Sequence, residues 1–291
     1  MFAIALENRQ YQTYVLSDDA AQSRVEIVPE RGGIVTRWQV QGQDIFYLDD
    51  ERFTDPTLSV RGGIPILFPI CGNLPDNTYT YGGQSYTLKQ HGFARDLPWD
   101  VGDQTTQDGS ASLTLGLRSS DQTLAVYPFE FQLAFTYTLR GNQLILRQCY
   151  TNRSSAPMPF SAGFHPYFRV QDKSQVQVEI PSTQYQENRT KAIHSYTGSF
   201  DFEQDEIDAA FTTVSSQTAS VTDRSRSLKI TLTSSAAFSV LVFWTVKGKD
   251  FYCLEPWTAP RDALNTGDRL LYVKPGERME MTVTLKAEFL G

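Results

Sequence analysis

Hydrophobic and polar residues alternate with a period of two along much of the chain. From Phe131 to Leu139, large apolar residues occupy the odd positions, and smaller or polar residues occupy the even ones. This alternation predicts a strand with one buried face. Gly141 and Asn142 then supply a turn, and the pattern returns from Leu144 onward, which predicts a β-hairpin.

The same alternation recurs at positions 113–117, 176–180, 228–232 and 279–285. Residues 239–246 are apolar almost throughout, which predicts a central strand covered on both faces. Helical periodicity is weak, and the acidic stretch 201–211 is expected to form one short helical turn at most. Many short strands separated by Gly, Pro, Asn and Ser predict an all-β protein built as a large antiparallel sandwich. With no low-complexity linker and no repeat, we expect a single domain spanning residues 1–291.

Composition narrows the range of partners. The 291 residues are 40% hydrophobic and 20% charged, which is ordinary for a globular protein with a sizeable core. A formal net charge of -7 argues against nucleic acid or anionic membrane as a partner, since both require a basic face. The sequence shows neither a signal peptide nor an apolar run long enough to span a membrane, so we expect a cytoplasmic protein.

The three cysteines are Cys71, Cys149 and Cys253. Their odd number and the absence of a C-x-x-C pair fit neither a disulfide framework nor a structural zinc site. Because they lie within apolar runs, we expect reduced and mostly buried thiols.

Three segments rich in Gly, Pro and polar residues interrupt the strand pattern, and loops of this kind often carry function. They are residues 61–69 with 91–95, residues 163–168, and residues 254–257. They contain His91, His165 and Glu255, which is the inventory that general acid–base catalysis requires. Taken singly, each of these residues is equally compatible with a turn histidine or a solvated loop carboxylate. The spacing along the chain does not show that they meet.

The ordered set of these segments resembles the aldose epimerase, or galactose mutarotase-like, family. The resemblance covers nearly the whole chain and is most specific at His91-Gly92 and at His165-Pro166-Tyr167. It implies a β-supersandwich with a sugar cleft on one concave sheet, and chemistry that needs no metal and no organic cofactor. The expected activity is aldose 1-epimerase, which interconverts the α and β anomers of a hexose.

The resemblance also implies a role for each matching residue. Glu255 would be the general base on the anomeric hydroxyl and His165 the general acid on the ring oxygen, with His91 as a second imidazole beside them. For this chemistry we expect His165 to be protonated and Glu255 ionised near neutral pH. Arg61 would bind the sugar, and so would an aspartate, for which we choose Asp208 over Asp205.

Two substrate classes remain open. The segments around Arg61 and Arg95 resemble a branch of the family that acts on hexose 6-phosphates, in which two arginines clamp the phosphate. The segments around His165 and Glu255 resemble members that accept free aldoses. The partner is therefore a small-molecule sugar or sugar phosphate, and the protein a monomer or homodimer. Three aromatic side chains beside the acid and base either stack on the pyranose or belong to the core: Phe164, Tyr167 and Trp257.

Three rival functions use the same residues. A sugar-binding module would keep the cleft without turnover. A glycosidase would need two carboxylates across the scissile bond, whereas these segments offer one. A zinc hydrolase would need His91, His165 and Glu255 as ligands, but they have no H-x-H or H-E-x-x-H spacing. The sequence therefore favours a metal-free isomerase.

Overall fold

The computed structural model of the chain describes residues 1–107 and 109–290. Strands dominate it, and in chain order they are β1 (Phe2–Asn8), β2 (Gln12–Asp18), β3 (Ser23–Val28), β4 (Ile34–Val40), β5 (Gln43–Asp44), β6 (Ile66–Leu67), β7 (Thr78–Tyr81), β8 (Gln84–Thr87), β9 (Asp100–Thr105), β10 (Ala111–Arg118), β11 (Phe131–Arg140), β12 (Gln143–Asn152), β13 (Met158–Phe160), β14 (Gly163–Phe164), β15 (Tyr167–Arg169), β16 (Val176–Glu179), β17 (Gln184–Glu187), β18 (Ile193–Ser195), β19 (Glu206–Phe211), β20 (Thr218–Asp223), β21 (Leu228–Ser234), β22 (Val240–Val246), β23 (Phe251–Trp257), β24 (Leu271–Val273) and β25 (Arg278–Phe289). The helices are short: α1 (Asp50–Thr54), α2 (Asp121–Leu124) and α3 (Ala263–Thr266).

Three large antiparallel sheets form the framework. The N-terminal sheet has the order β1-β2-β3-β4-β5. A second sheet, which we call the outer sheet, runs β16-β20-β21-β25-β12-β11-β10-β9. A third, the site sheet, runs β18-β17-β19-β22-β23-β14-β6, with β15 also paired to β23. No helix within the described residues is long and apolar enough to cross a membrane.

The core lies between the outer sheet and the site sheet. Phe135 on β11 and Phe164 on β14 meet there, with ring centroids 6.1 Å apart. Trp38 of the N-terminal sheet belongs to the same buried cluster. The alternating residues of β11 are buried at every odd position, as the period-two pattern predicts.

Most of the predicted elements are confirmed. The hairpin predicted around Gly141 is formed by β11 and β12, which pair from Phe131 opposite Asn152 to Arg140 opposite Gln143. The other alternating segments lie on β10, β16, β21 and β25. All three cysteines are free thiols; two of them are buried. The fold is mostly antiparallel β-sheet, as expected.

The prediction of a helical turn within residues 201–211 is wrong. Residues 206–211 form strand β19, which pairs with β22 from Glu206 opposite Val246 to Phe211 opposite Leu241. Long-range pairing with an apolar neighbour outweighs the acidic composition, because Ile207, Ala209 and Phe211 all gain buried surroundings.

Candidate active site

Strand β23 divides its residues between the core and a cavity. Tyr252 and Leu254 face the main core cluster. Glu255 and Trp257 lie on the opposite face and line the cavity, because side chains alternate along a strand. Glu255 is only 1% exposed, which is unusual for a carboxylate without a functional reason.

His165 reaches the same cavity from the connection between β14 and β15. Its backbone N–H donates to the carbonyl of Pro65 at 3.1 Å, which anchors the turn against β6. Its Nε2 lies 3.4 Å from Oε1 of Glu255. The imidazole and the carboxylate that the sequence places 90 residues apart are therefore neighbours in one cavity.

The cavity has a volume of about 450 Å³, enough to enclose a hexose. Its walls are largely polar and charged, with four arginines and three carboxylates. The lining residues are Arg52, Ser59, Val60, Arg61, Gln90, His91, Arg95, His165, Tyr167, Glu206, Asp208, Trp244, Glu255, Trp257 and Arg261.

Two glycines allow the loops beside the cavity to approach the sheet closely. Gly62 has φ of 141°, and a Cβ there would lie 2.5 Å from Cα of Leu48. Gly92 has φ of 71°, and a Cβ there would lie 2.2 Å from the carbonyl oxygen of Phe68. Only glycine fits either position without backbone movement. The glycines that follow Arg61 and His91 therefore fix where those two side chains enter the cavity.

His91 is held as a neutral imidazole. Its Nδ1 accepts a hydrogen bond from the backbone N–H of Gly72 at 3.1 Å, so the ring proton resides on Nε2. Burial holds the pKa of His91 well below its usual range, and the charges of Arg95 and His165 add to this. His91 can thus donate from Nε2 but is not a source of an acidic proton.

The protonation expected for the central pair is not the one that burial favours. Burial raises the pKa of Glu255 well above its usual range, and Asp208 adds to the rise. Burial also lowers the pKa of His165 to about 3, as does the charge of Arg95. Burial thus disfavours charge on either group, so the favoured form of the pair holds one proton, with both groups neutral.

Trp257 and Arg261 fix the far side of Glu255. The indole Nε1 of Trp257 donates to Oε2 of Glu255 at 3.1 Å. The guanidinium of Arg261 lies 5.6 Å over the Trp257 ring and donates from Nη2 to Asp208 at 3.1 Å. Burial raises the pKa of Asp208, whereas Arg261 opposes that rise. Asp208, the aspartate chosen from the sequence, lies on the cavity wall, whereas Asp205 is exposed and lies outside the cavity.

Three arginines enter the cavity from the opposite edge of the site sheet, beyond β14 and β6. Arg52 is held by a hydrogen bond from its Nε to the carbonyl of Ser59. Arg95 donates from Nη2 to the carbonyl of Gln90, but its buried Nε has no partner in the described part of the chain. Arg61 is exposed, and its guanidinium forms no hydrogen bond or ion pair with any described residue. All three arginines line the cavity.

The structure moves one predicted site residue out of the site. Phe164 is fully buried against Phe135 in the core between the sheets and does not line the cavity. The reason is strand parity: Phe164 precedes His165, so the two side chains point to opposite faces. Phe164 therefore belongs to the core and does not bind substrate.

Seven of the lining residues escaped the sequence analysis: Arg52, Ser59, Val60, Gln90, Glu206, Trp244 and Arg261. Trp244 was hidden in the apolar strand β22, where nothing in the pattern distinguishes a cavity-facing position from a core position. Arg52, Glu206 and Arg261 lie outside the recognisable segments: Arg52 is on α1, Glu206 begins β19, and Arg261 lies in the loop before α3. Trp244 also donates from Nε1 to Glu206 at 2.7 Å.

Comparison with known proteins agrees with the geometry. The family model for aldose 1-epimerase matches residues 12–286, and the chain belongs to that family. It is accordingly an isomerase that interconverts the anomers of a sugar.

Individual relatives and solved structures are similar to the chain over most of its length. A solved structure of the Slr1438 protein from Synechocystis sp. PCC 6803 is 47% identical, with a TM-score of 0.95 over 99% of this chain and 100% of that one. A putative glucose-6-phosphate 1-epimerase of Cenchrus ciliaris is 28% identical over 88% of this chain and 79% of its own length. Galactose 1-epimerase from Lactobacillus acidophilus NCFM is 17% identical, with a TM-score of 0.78 over 100% of this chain and 99% of that one, and shares the fold.

Proposed function

We propose that His165 and Glu255 exchange protons with the hemiacetal of a bound hexose, and that this hexose carries a phosphate group. The observation that carries the proposal is the 3.4 Å approach of His165 Nε2 to Glu255 Oε1 inside the 450 Å³ cavity. A base and an acid at this separation can both contact one pyranose ring.

Ring opening moves two protons and breaks one bond. Glu255 takes the proton of the C1 hydroxyl, the bond between C1 and the ring oxygen breaks, and His165 gives a proton to that oxygen. Rotation about the C1–C2 bond then exposes the other face of the aldehyde, and the reverse steps close the ring. The enzyme returns to its starting state, so the cycle balances without a cofactor.

The proton count of the pair fits this cycle. With the open-chain aldehyde bound, Glu255 is protonated and His165 neutral, which is the form that the buried cavity favours. With the closed ring bound, the same single proton must lie on His165. Donation from Trp257 and the charges of Arg261 and Arg95 stabilise the ionised carboxylate for that state.

The neighbouring polar groups would hold the remaining hydroxyls. His91 offers a neutral Nε2 donor beside the ring, and Asp208 offers acceptor oxygens on the opposite wall. Hydrogen bonds to both ends of the sugar would align the ring oxygen and the C1 hydroxyl with the acid and the base.

The three arginines support a phosphorylated substrate. A protein with net charge -7 presents four arginines and three carboxylates in this cavity. Arg61 and Arg95 retain unpaired donors, and guanidinium groups bind phosphate oxygens through paired hydrogen bonds. Arg61 and Arg95 both line the cavity, so an anion at this wall would accept hydrogen bonds from their guanidinium groups.

The experiment measures anomer exchange by NMR exchange spectroscopy with glucose and with glucose 6-phosphate. We expect glucose 6-phosphate to be preferred at least about tenfold in kcat/KM, because hydrogen bonds to a charged group contribute about 1.5–3 kcal/mol. Arg95→Ala and Arg61→Ala should each reduce that preference, while Arg24→Ala, remote from the cavity, serves as the control.

The outcomes separate the two parts of the proposal. Equal turnover of both sugars, unchanged in the arginine variants, would remove the phosphate and leave the anomer exchange standing. Absence of exchange with every hexose and hexose phosphate tested, with sugar binding intact, would instead indicate a binding protein that has kept the fold.

A further inference from the structure

Cys253 stands beside the acid–base pair without a role in the proposed reaction. It lies two residues before Glu255 on β23 and therefore on the same face of the strand. It is fully buried and packs with Tyr167 and Phe251. Its neighbour across the pairing of β15 and β23 is Tyr167, which also contacts His165.

Three ligand atoms converge at this point. One imidazole nitrogen of His165, the sulfur of Cys253 and one carboxylate oxygen of Glu255 all lie within 4.8 Å of one another. Zinc–ligand distances of 2.0–2.3 Å place tetrahedral ligand atoms roughly 3.5 Å apart. Side-chain adjustments of about 1 Å would therefore complete a three-ligand site.

The nitrogen of His165 that faces Glu255 is Nε2, whose distance to Oε1 is 3.4 Å. This nitrogen would bind the ion, because the two ring nitrogens point in different directions and Nδ1 is buried.

We propose that a zinc ion binds His165, Cys253 and Glu255 and thereby blocks anomer exchange. This inference rests on the proposed function, because the ion would occupy both the acid and the base. The fourth position would face the cavity and hold water. Zinc is an inhibitor in this proposal, not a participant in the reaction.

The ligand set suits the charge of the ion. A Cys253 thiolate and a Glu255 carboxylate together balance the two positive charges of zinc, and a buried site avoids the cost of an uncompensated charge in this way.

These three ligands differ from the zinc ligands considered in the sequence analysis, which were His91, His165 and Glu255. In the structure, Nδ1 of His91 accepts a hydrogen bond from Gly72, and Cys253 is the third residue of the cluster with His165 and Glu255. Cys71 is an internal comparison. It is as buried as Cys253, but it lies next to Ser161 and outside the three-ligand cluster.

The test uses the full chain, from which bound metal is removed with a chelator and the chelator is then removed. Zinc is titrated into the anomer-exchange assay with wild type, Cys253→Ala and the matched control Cys71→Ala. We expect inhibition at micromolar zinc in wild type and in Cys71→Ala. Cys253→Ala should exchange anomers normally but need at least 10-fold more zinc, since loss of even an outer-shell partner costs 10–100-fold in metal affinity.

Cobalt(II) provides a readout that does not depend on activity. A Cys71→Ala/Cys149→Ala double variant keeps Cys253 as its single thiol, and it should show thiolate-to-cobalt charge-transfer absorption that zinc displaces. Absence of that absorption, or equal zinc sensitivity of Cys253→Ala and wild type, would overturn the proposal. If no sugar is turned over but the absorption appears, the metal site stands and the proposed function fails.

Discussion

Tyr167 lies flat against the imidazole of His165, with ring centroids 4.6 Å apart and ring planes 14° apart. The contact arises because Tyr167 begins β15 and His165 lies two positions before it. Tyr167 also packs edge-on against Phe251, which holds the tyrosine from behind at 5.0 Å. The aromatic side chain predicted to stack on the sugar thus also sets the plane of the proposed acid.

This stacking predicts different effects for two replacements of Tyr167. Tyr167→Phe keeps the ring and should leave kcat within about threefold of wild type, whereas Tyr167→Leu should lower kcat roughly 10- to 100-fold, because misplacing a catalytic group by about 1 Å has effects of that size. Exchange spectroscopy at saturating sugar measures both. A loss confined to KM in Tyr167→Leu would show that the ring contacts the sugar without positioning His165.

Removing either member of the central pair should abolish most turnover. Glu255→Gln and His165→Asn each delete one proton-transfer group while keeping similar shape, and we expect kcat to fall by about 10²–10⁴ in each. Sugar binding, followed by calorimetry, should be largely retained. Near-normal exchange in either variant would be incompatible with the assigned roles.

The pH dependence should reflect the single proton of the pair. The second proton adds to His165 only near pH 3, and the shared proton is lost only above the raised pKa of Glu255. Activity should therefore persist as the pH falls through 4.5, the value at which an ordinary glutamate would become protonated. Exchange rates of chelator-treated protein between pH 3 and 8 test this, with circular dichroism at each pH to verify folding. An acid limb centred at 4.5 would mean that Glu255 titrates alone.

Phe164 should affect stability and not catalysis. The side chain is fully buried between the sheets, so Phe164→Ala should lower the free energy of unfolding by about 3–5 kcal/mol. Phe164→Leu, which leaves a smaller void, should be milder. Denaturant titration measures both, and the folded fraction should retain normal kcat. A large effect on KM without loss of stability would return Phe164 to the binding site.

Much of the fold was contained in the sequence itself. The period-two pattern fixed the position of β11 and β12 and the turn at Gly141, because a half-buried strand requires alternation whatever it packs against. The loops carrying His91, His165 and Glu255 were also recognisable, since glycine and proline interrupt the strands there. The pattern failed at β19, where pairing with β22 outweighed local composition.

Tertiary structure decided which buried residues face the cavity and which face the core. A sequence pattern can predict that a residue is buried, but it does not show what the residue packs against. Phe164 and Trp244 both occupy apolar segments, yet Phe164 packs between the sheets and Trp244 lines the cavity. The sequence likewise does not show where the proton of the His165–Glu255 pair lies, or that Cys253 lies close to this pair. Those properties depend on how much water is excluded and which charges lie within a few ångströms, and both are set by strands that are far apart along the chain.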